Sequence, residues 1–188
     1  MTEIAKLNSG TPQFRVKESL SVDAPTYFFF GQSEMDDDLA GLETHSGNRK
    51  QIRTFDNVST LESGDVVFSL ISGKAAIVKN AHNEYLFTQN YVKLVPVPSI
   101  DAGYLVYMLN ENADIKRQLQ SGKQGSATLK FRIEQLSDLM FPTPPPIEKQ
   151  RVIGELYFNQ LKLTVLKQQV AALETTLIKE KLKEANKS

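Results

Sequence analysis

The chain has 188 residues and a mass of 21.1 kDa, room for one ordinary domain with an appendage and too little for a multidomain machine. Its 22 Lys+Arg balance 22 Asp+Glu, so a polycation gripping phosphates by bulk charge is excluded and any nucleic-acid surface must be local. The lack of cysteine removes disulfide frameworks, thiolate zinc sites and cysteine nucleophiles together, and two histidines are too few for a His-rich metal centre.

Residues 1–141 alternate short apolar runs with Gly, Asn, Asp and Pro, the texture of strands and loops. The opening MTEIAKLNSG lacks the apolar core of a secretory signal, and no run is long enough for a membrane helix, so a soluble cytoplasmic protein is expected. Tyr27 to Phe30, before Gly31, predict a buried strand. The acidic run Asp36-Asp37-Asp38 is expected in a solvated loop. His45, between Thr44 and Ser46, reads as a surface histidine with no orienting partner. Residues 65–71 and 75–78 predict two strands, and Ser72-Gly73-Lys74 between them predicts a hairpin. Residues 91–95 predict another strand, stopped by Pro96 and Pro98. Residues 102–120 predict one helix, with Leu105, Met108, Leu109, Ile115 and Leu119 at helical spacing. Leu129, Phe131, Ile133, Leu136 and Leu139 lead to residues 141–146. There Pro142, Pro144, Pro145 and Pro146 exclude helix and central strand and predict a stiff connector.

Residues 148–188 contain no proline and one glycine, Gly154, and are rich in Leu, Lys, Gln, Glu and Ala, a helical composition. Leu156, Leu163, Val170 and Leu177 recur every seven residues. Val152, Asn159, Leu166, Leu173 and Glu180 form the second position of the same heptad seam, which is apolar throughout from Leu163 to Leu177. A helix of about 40 residues would be roughly 60 Å long at 1.5 Å per residue, more than a domain of this size covers. The apolar stripe therefore predicts a partner helix from another subunit, with Asn159 selecting register. The fold class read from this pattern is α+β. A mostly antiparallel sheet domain spans residues 1–142, and a proline connector with a long coiled-coil helix spans residues 143–188.

No catalytic constellation emerges. A phosphate loop fails because Gly73-Lys74 is followed by Ala75 and Phe68 stands where a glycine is required. Asp65, Glu84 and Lys93 lack the strand context of a nuclease set. Polar binding chemistry remains. Asn48-Arg49-Lys50-Gln51-Ile52-Arg53 packs cations and amides together. Residues 122–132 form a glycine-loosened loop with Lys123, Gln124, Ser126 and Lys130, while Lys74 and Gln89 sit at other turns. Arg and Lys suit guanine edges, Gln and Asn suit adenine edges, and Ser, Thr and Lys suit phosphate. The candidate DNA-contacting residues are Arg49, Lys50, Arg53, Lys74, Gln89, Lys123, Gln124, Ser126 and Lys130.

The order of these pieces resembles a known family. Gly64-Asp65-Val66-Val67-Phe68-Ser69, then Gly73 and Ala75-Ala76-Ile77-Val78, is similar to a hairpin of type I restriction–modification specificity subunits. Thr88-Gln89-Asn90-Tyr91 and Tyr104-Leu105-Val106-Tyr107-Met108-Leu109 resemble their next strand and helix. Gly125-Ser126, Leu129, Ile133, Leu136, Pro142, Pro144-Pro145-Pro146, Ile147-Glu148-Lys149-Gln150 and Ile153 resemble the passage that closes a target recognition domain. Glu148-Lys149-Gln150 departs from the family's Glu-Gln by one inserted residue.

The resemblance implies a non-catalytic reader of double-stranded DNA, and no cofactor or metal site is expected from the sequence. It also implies assembly with methyltransferase subunits and, in a restricting complex, a translocase-nuclease subunit. One recognition domain and one spacer helix imply a half-length subunit or a piece of a full one, working as a homodimer on a symmetric, interrupted site. The competing readings are a coiled-coil assembly or regulatory protein that does not read DNA, and a stand-alone nuclease.

Overall fold

β-Branched and aromatic residues dominate the central strands, and their pairing is antiparallel throughout the main sheet. The computed structural model describes residues 1, 3–41, 49–121 and 130–186. In chain order the elements are β1 (Ala5–Ser9), β2 (Thr26–Phe28), α1 (Gln32–Ala40), β3 (Gln51–Arg53), β4 (Val66–Ser69), β5 (Ala75–Ile77) and β6 (Tyr91–Pro96). Five-residue or longer helices follow: α2 (Ala102–Glu111), α3 (Ala113–Ser121), α4 (Ile133–Ser137) and α5 (Ile147–Ala185). The main sheet has the order β1-β6-β4-β5, and β2-β3 form a two-stranded sheet. The protein is thus α+β, with an antiparallel sheet domain and a long C-terminal helix.

Strand β4 is buried at every position, and its two faces serve two cores. Val66 and Phe68 join Val92, Leu94, Leu105, Leu109, Ile115 and Leu136 on one side. Val67 points the other way and joins Phe30, Met35, Leu61, Ala76, Phe87 and Tyr91. A strand covered on both faces reads as an unbroken apolar run rather than an alternating one. The predicted hairpin is present, with Val66 opposite Ile77 and Phe68 opposite Ala75. Gly73 holds a φ of +70° in its turn, and the Phe131 ring occupies the place of a side chain there.

Four expectations change. Asp36 to Asp38 lie in helix α1 rather than in a loop. Met35 is fully buried and Leu39 packs against both cores, so an apolar face outweighs the acidic run. Asp38 itself is buried, with Oδ1 2.8 Å from Nδ1 of buried His82 and 3.2 Å from the accepted Lys79 N–H. The strand predicted at Tyr27 to Phe30 is β2 and ends at Phe28. Of those four residues only Phe30 is buried. The single helix predicted over residues 102–120 is two. Asn112 adopts an extended conformation, and its Oδ1 accepts the N–H groups of Asp114 and Ile115 at 3.0 and 3.1 Å, starting α3 afresh. Strand β6 runs on to Pro96, opposite Ala5 of the unpredicted strand β1.

The prolines of residues 141–146 carry no helix or strand, and α5 starts directly after Pro146. Its first turns are held by the domain. Gln150 is 1% exposed. Its Nε2 donates to the carbonyls of Ser99 (3.0 Å) and Pro145 (2.8 Å), and its Oε1 accepts the Asp101 N–H (2.9 Å). Ile153, Tyr157 and Phe158 pack against the larger core. The heptad seam lies on another face. Val152, Leu156, Leu163, Leu166, Val170, Leu173 and Leu177 are 44–70% exposed, and Asn159 is exposed too. Among the described residues, no helix is long and apolar enough to cross a membrane.

Two outcomes follow from the buried polar groups. Asn110 Oδ1 accepts the Ala75 N–H (2.7 Å), and its Nδ2 donates to the Ala75 carbonyl (2.9 Å) and the Tyr157 hydroxyl (3.1 Å). Asn110→Ala strands both backbone groups of Ala75 and is expected to cost about 2–4 kcal/mol in chemical denaturation. For Asp38, burial raises the carboxyl pKa above its ordinary 3.8, against the opposing pull of His82. The folded state then holds this proton more tightly than the unfolded chain. The group's contribution is therefore full below pH 3.8 and is lost as pH rises through the raised value. Relative to Asp38→Asn, the melting temperature of the unmodified protein is expected to fall across that window.

Candidate nucleic-acid interface

One end of the main sheet gathers polar residues from three distant segments. Strand β4 ends here, β5 and β6 begin here, and residues 130–131 return to it. The Leu70 N–H donates to the Asn90 carbonyl and the Leu70 carbonyl accepts the Phe131 N–H, both at 2.8 Å. Lys130 Nζ donates to Asn90 Oδ1. The turn before β6 is closed by the Tyr91 N–H on the Thr88 carbonyl at 2.9 Å. The Gln89 N–H donates to the Thr11 carbonyl at 3.2 Å, and the Thr11 N–H donates to the Phe87 carbonyl at 3.1 Å. Gly10 lies against the carbonyls of Phe87 and Thr88, where a side chain has no room. Lys74, Gln89 and Lys130 are exposed at this end, while the backbone beneath them is fixed.

Arg49, Lys50 and Arg53 belong to the smaller sheet instead. The Arg49 guanidinium donates to the Tyr85 hydroxyl and lies 5.9 Å from the centres of both the Phe28 and Tyr85 rings. Burial pushes the Tyr85 hydroxyl above its ordinary pKa, and the guanidinium beside it opposes that rise. Lys50 Nζ sits 4.7 Å over the Phe29 ring. Arg53 is exposed on β3, and its carbonyl accepts the Ser19 N–H at 2.8 Å. The Arg49 and Lys50 side chains thus pack on the aromatic rings of the β2–β3 region as well as charging it. Lys123, Gln124 and Ser126 fall in residues 122–129 and His45 in residues 42–48, all outside the described residues.

Sequence reasoning missed several residues near Lys74. Lys116 and Gln120 of α3 line a shallow hollow with Ser72, Gly73, Lys74 and Phe131. Lys116 is paired with Glu111 at 3.0 Å. Their amphipathic spacing was visible, but not which strand turn their polar face would meet. Phe14, Leu20, Val22 and Phe55 are exposed apolar residues that the strand pattern did not single out either.

Two of the residues weighed as a nuclease set, Asp65 and Lys93, form an ion pair with each other. Asp65 Oδ2 lies 2.6 Å from Lys93 Nζ and accepts the Glu62 N–H at 2.7 Å. Glu84 occupies a left-handed turn position with φ 62°. Among the described residues, no group of three or more His, Asp or Glu side chains could hold a metal ion.

An antiparallel sheet domain with a polar sheet end and a long projecting helix defines the class: a binding module with a helical arm. The sequence matches the type I restriction modification DNA specificity domain over residues 3–182, and the chain belongs to that family. Solved structures share the fold. The HsdS subunit from Thermoanaerobacter tengcongensis superposes with a TM-score of 0.54 at 20% identity, over 93% of this chain and 38% of that one. A type I restriction–modification S subunit from M. genitalium gives 0.51 at 14% identity, over 96% and 42%. A chain from a type I R-M system, whose complex assembly and conformational transition were the subject of its structure, gives 0.62 at 19%, over 98% and 42%. The chain thus spans about two fifths of these relatives. No curated protein is significantly similar to it in sequence.

Proposed function

We propose that this chain is a non-catalytic DNA-reading subunit of a type I restriction–modification system, working as a homodimer. Residues 1–142 form the recognition domain, and residues 143–188 form the connector and dimerisation arm. The observation that carries the reading is the helix seam. Val152, Leu156, Asn159, Leu163, Leu166, Val170, Leu173 and Leu177 are exposed on a helix whose opposite face is already anchored in its own domain. A stripe of this length exposed to water favours a second helix. A second copy of this chain offers the same stripe, and a two-fold axis makes the contact self-complementary.

In an antiparallel pair centred near Val170, the two Gly154 anchors lie about 48 Å apart at 1.5 Å per residue. That is under two turns of DNA at about 34 Å per turn, which suits two half-sites separated by unread bases. The sheet end with Lys74, Gln89 and Lys130 faces the DNA in this reading, and Lys123, Gln124 and Ser126, close to Lys130 in sequence, are assigned to DNA contact with it. Arg49, Lys50 and Arg53 contribute charge at the smaller sheet. The paired helices form the scaffold for methyltransferase subunits and, in a restricting complex, a translocase-nuclease subunit. No cofactor enters the reading step.

Selection from a random duplex library at fixed salt tests the reading. A symmetric interrupted sequence is expected; no selected sequence would leave an assembly protein that does not read DNA. Lys130→Ala is expected to weaken binding across all sequences and reduce the salt slope by about one unit, whereas Gln89→Ala alters preference at one position. Intact binding after joint replacement of Lys123, Gln124 and Lys130 would remove that loop from the interface. Leu163→Glu with Leu173→Glu is expected to leave a folded monomer in analytical ultracentrifugation, because two charges enter the centre of the seam. A surviving dimer would place the contact elsewhere.

A further inference from the structure

We infer that the Gly103–Gly154 helix crossing, locked by Gln150, is the positioning element that sets the number of unread bases between the two half-sites. The inference rests on the dimeric DNA-reading function proposed above and adds a residue-level cause for the spacing. Helices α2 and α5 touch backbone to backbone at this point. A Cβ on Gly154 would lie 2.8 Å from Gly103 C, 2.9 Å from Tyr104 N and 3.0 Å from Gly103 Cα. All three are main-chain atoms, so no rotamer change relieves the overlap. A Cβ on Gly103 would meet Gly154 Cα at 3.2 Å and Asp101 Oδ1 at 3.1 Å. A glycine in a helix interior is about 1 kcal/mol worse than alanine, and close approach is the physical reason to keep one here.

The turns on either side prevent the crossing from rocking. One turn before it, the buried Gln150 side chain bonds three segments: Ser99, Asp101 and Pro145. One turn after it, the Tyr157 hydroxyl accepts from Asn110 Nδ2 (3.1 Å) and donates to Glu111 Oε1 (3.3 Å). Beyond Phe158, most of α5 is exposed, so the direction of the arm is decided within these turns. Val170 lies about 24 Å farther along the helix. Relieving a Cβ overlap of roughly 0.8 Å about the Gln150 clamp, about 6 Å away, tilts the arm by about 8° and moves Val170, about 30 Å from that clamp, by roughly 4 Å. The two-fold axis doubles the movement of one domain relative to the other. One base-pair step is about 3.4 Å, so the crossing has leverage over the spacing by one or two base pairs. It has none over the bases read at the sheet end.

Gly154→Ala and Gly103→Ala in the full chain test this, with Glu155→Ala, exposed on the same helical turn, as the control. The first probe is a set of duplexes carrying the half-sites selected by the unmodified chain, separated by spacers of varied length. The expected result is unchanged half-site preference with the optimum spacer moved by at least one base pair, and at least tenfold weaker binding at the original spacing. A folded variant that keeps the original optimum overturns the inference. The second probe is the intrachain spin-label distance between Lys17→Cys and Lys179→Cys, diluted with unlabelled chain; the protein has no other cysteine to label. A shift of about 2 Å or more is expected in Gly154→Ala and none in Glu155→Ala. An unmoved distance overturns the inference, as does a moved distance with an unmoved spacer optimum. If Gly154→Ala does not fold, the looser Gly103→Ala decides. If the unmodified chain selects no DNA, the proposed function fails, and the spin-label distance still reports whether the crossing steers the arm.

Discussion

Gln150 bonds three separate backbone segments with one side chain: the loop after β6, the start of α2 and Pro145 in the proline run before α5. A buried amide left without partners costs about 1–3 kcal/mol per group, so this residue has one good position and the backbone around it has one good arrangement. The glycine pair one turn on brings the two helix backbones into contact. Tyr157 closes the set, its hydroxyl held between Asn110 and Glu111 and pushed by burial to a pKa of about 12. Asn110 is in turn bonded to both backbone groups of Ala75 in β5. A continuous path of fixed contacts thus runs from the sheet to the root of the arm.

The sheet uses burial differently. Because β4 is covered on both faces, its neighbours and its end turns have little freedom. Residues at those turns can remain polar and exposed while the backbone under them is rigid. Lys74, Gln89 and Lys130 reach the same sheet end by this route, from segments far apart in sequence. A reading surface needs that combination of placed backbone and variable side chains. The arm and the surface are therefore separable in energy: one rests on the α2–α5 contact, the other on the strand ends.

How far the fold could be read in advance depended on where the stabilising partner lies. The β4–β5 hairpin was legible because its apolar runs and Gly73 are adjacent in the chain. The arm was legible because a seven-residue repeat needs no outside information. Strand β1, AKLNS, has little strand character of its own, and its order comes from pairing with Val92 to Pro96. Helix α1 hid behind three aspartates because the partner of Asp38 is His82, far along the chain. The break at Asn112 was hidden because both flanking helices keep the same apolar rhythm. At the candidate interface, residue type suggested cations and amides, but only the tertiary bonds divide them. Lys74, Gln89 and Lys130 share the sheet end, while Arg49 is spent in large part on Tyr85 and Phe28.

The central claim is that the arm's exposed seam is covered by a second copy of the chain. Light scattering on the purified, unmodified chain, alone and with a methyltransferase subunit, tests it most directly. The expected mass for the chain alone is twice 21.1 kDa, with the pair retained when the partner binds. A chain that stays at 21.1 kDa at concentrations well above those used for DNA binding, and takes up the partner without pairing, would contradict it.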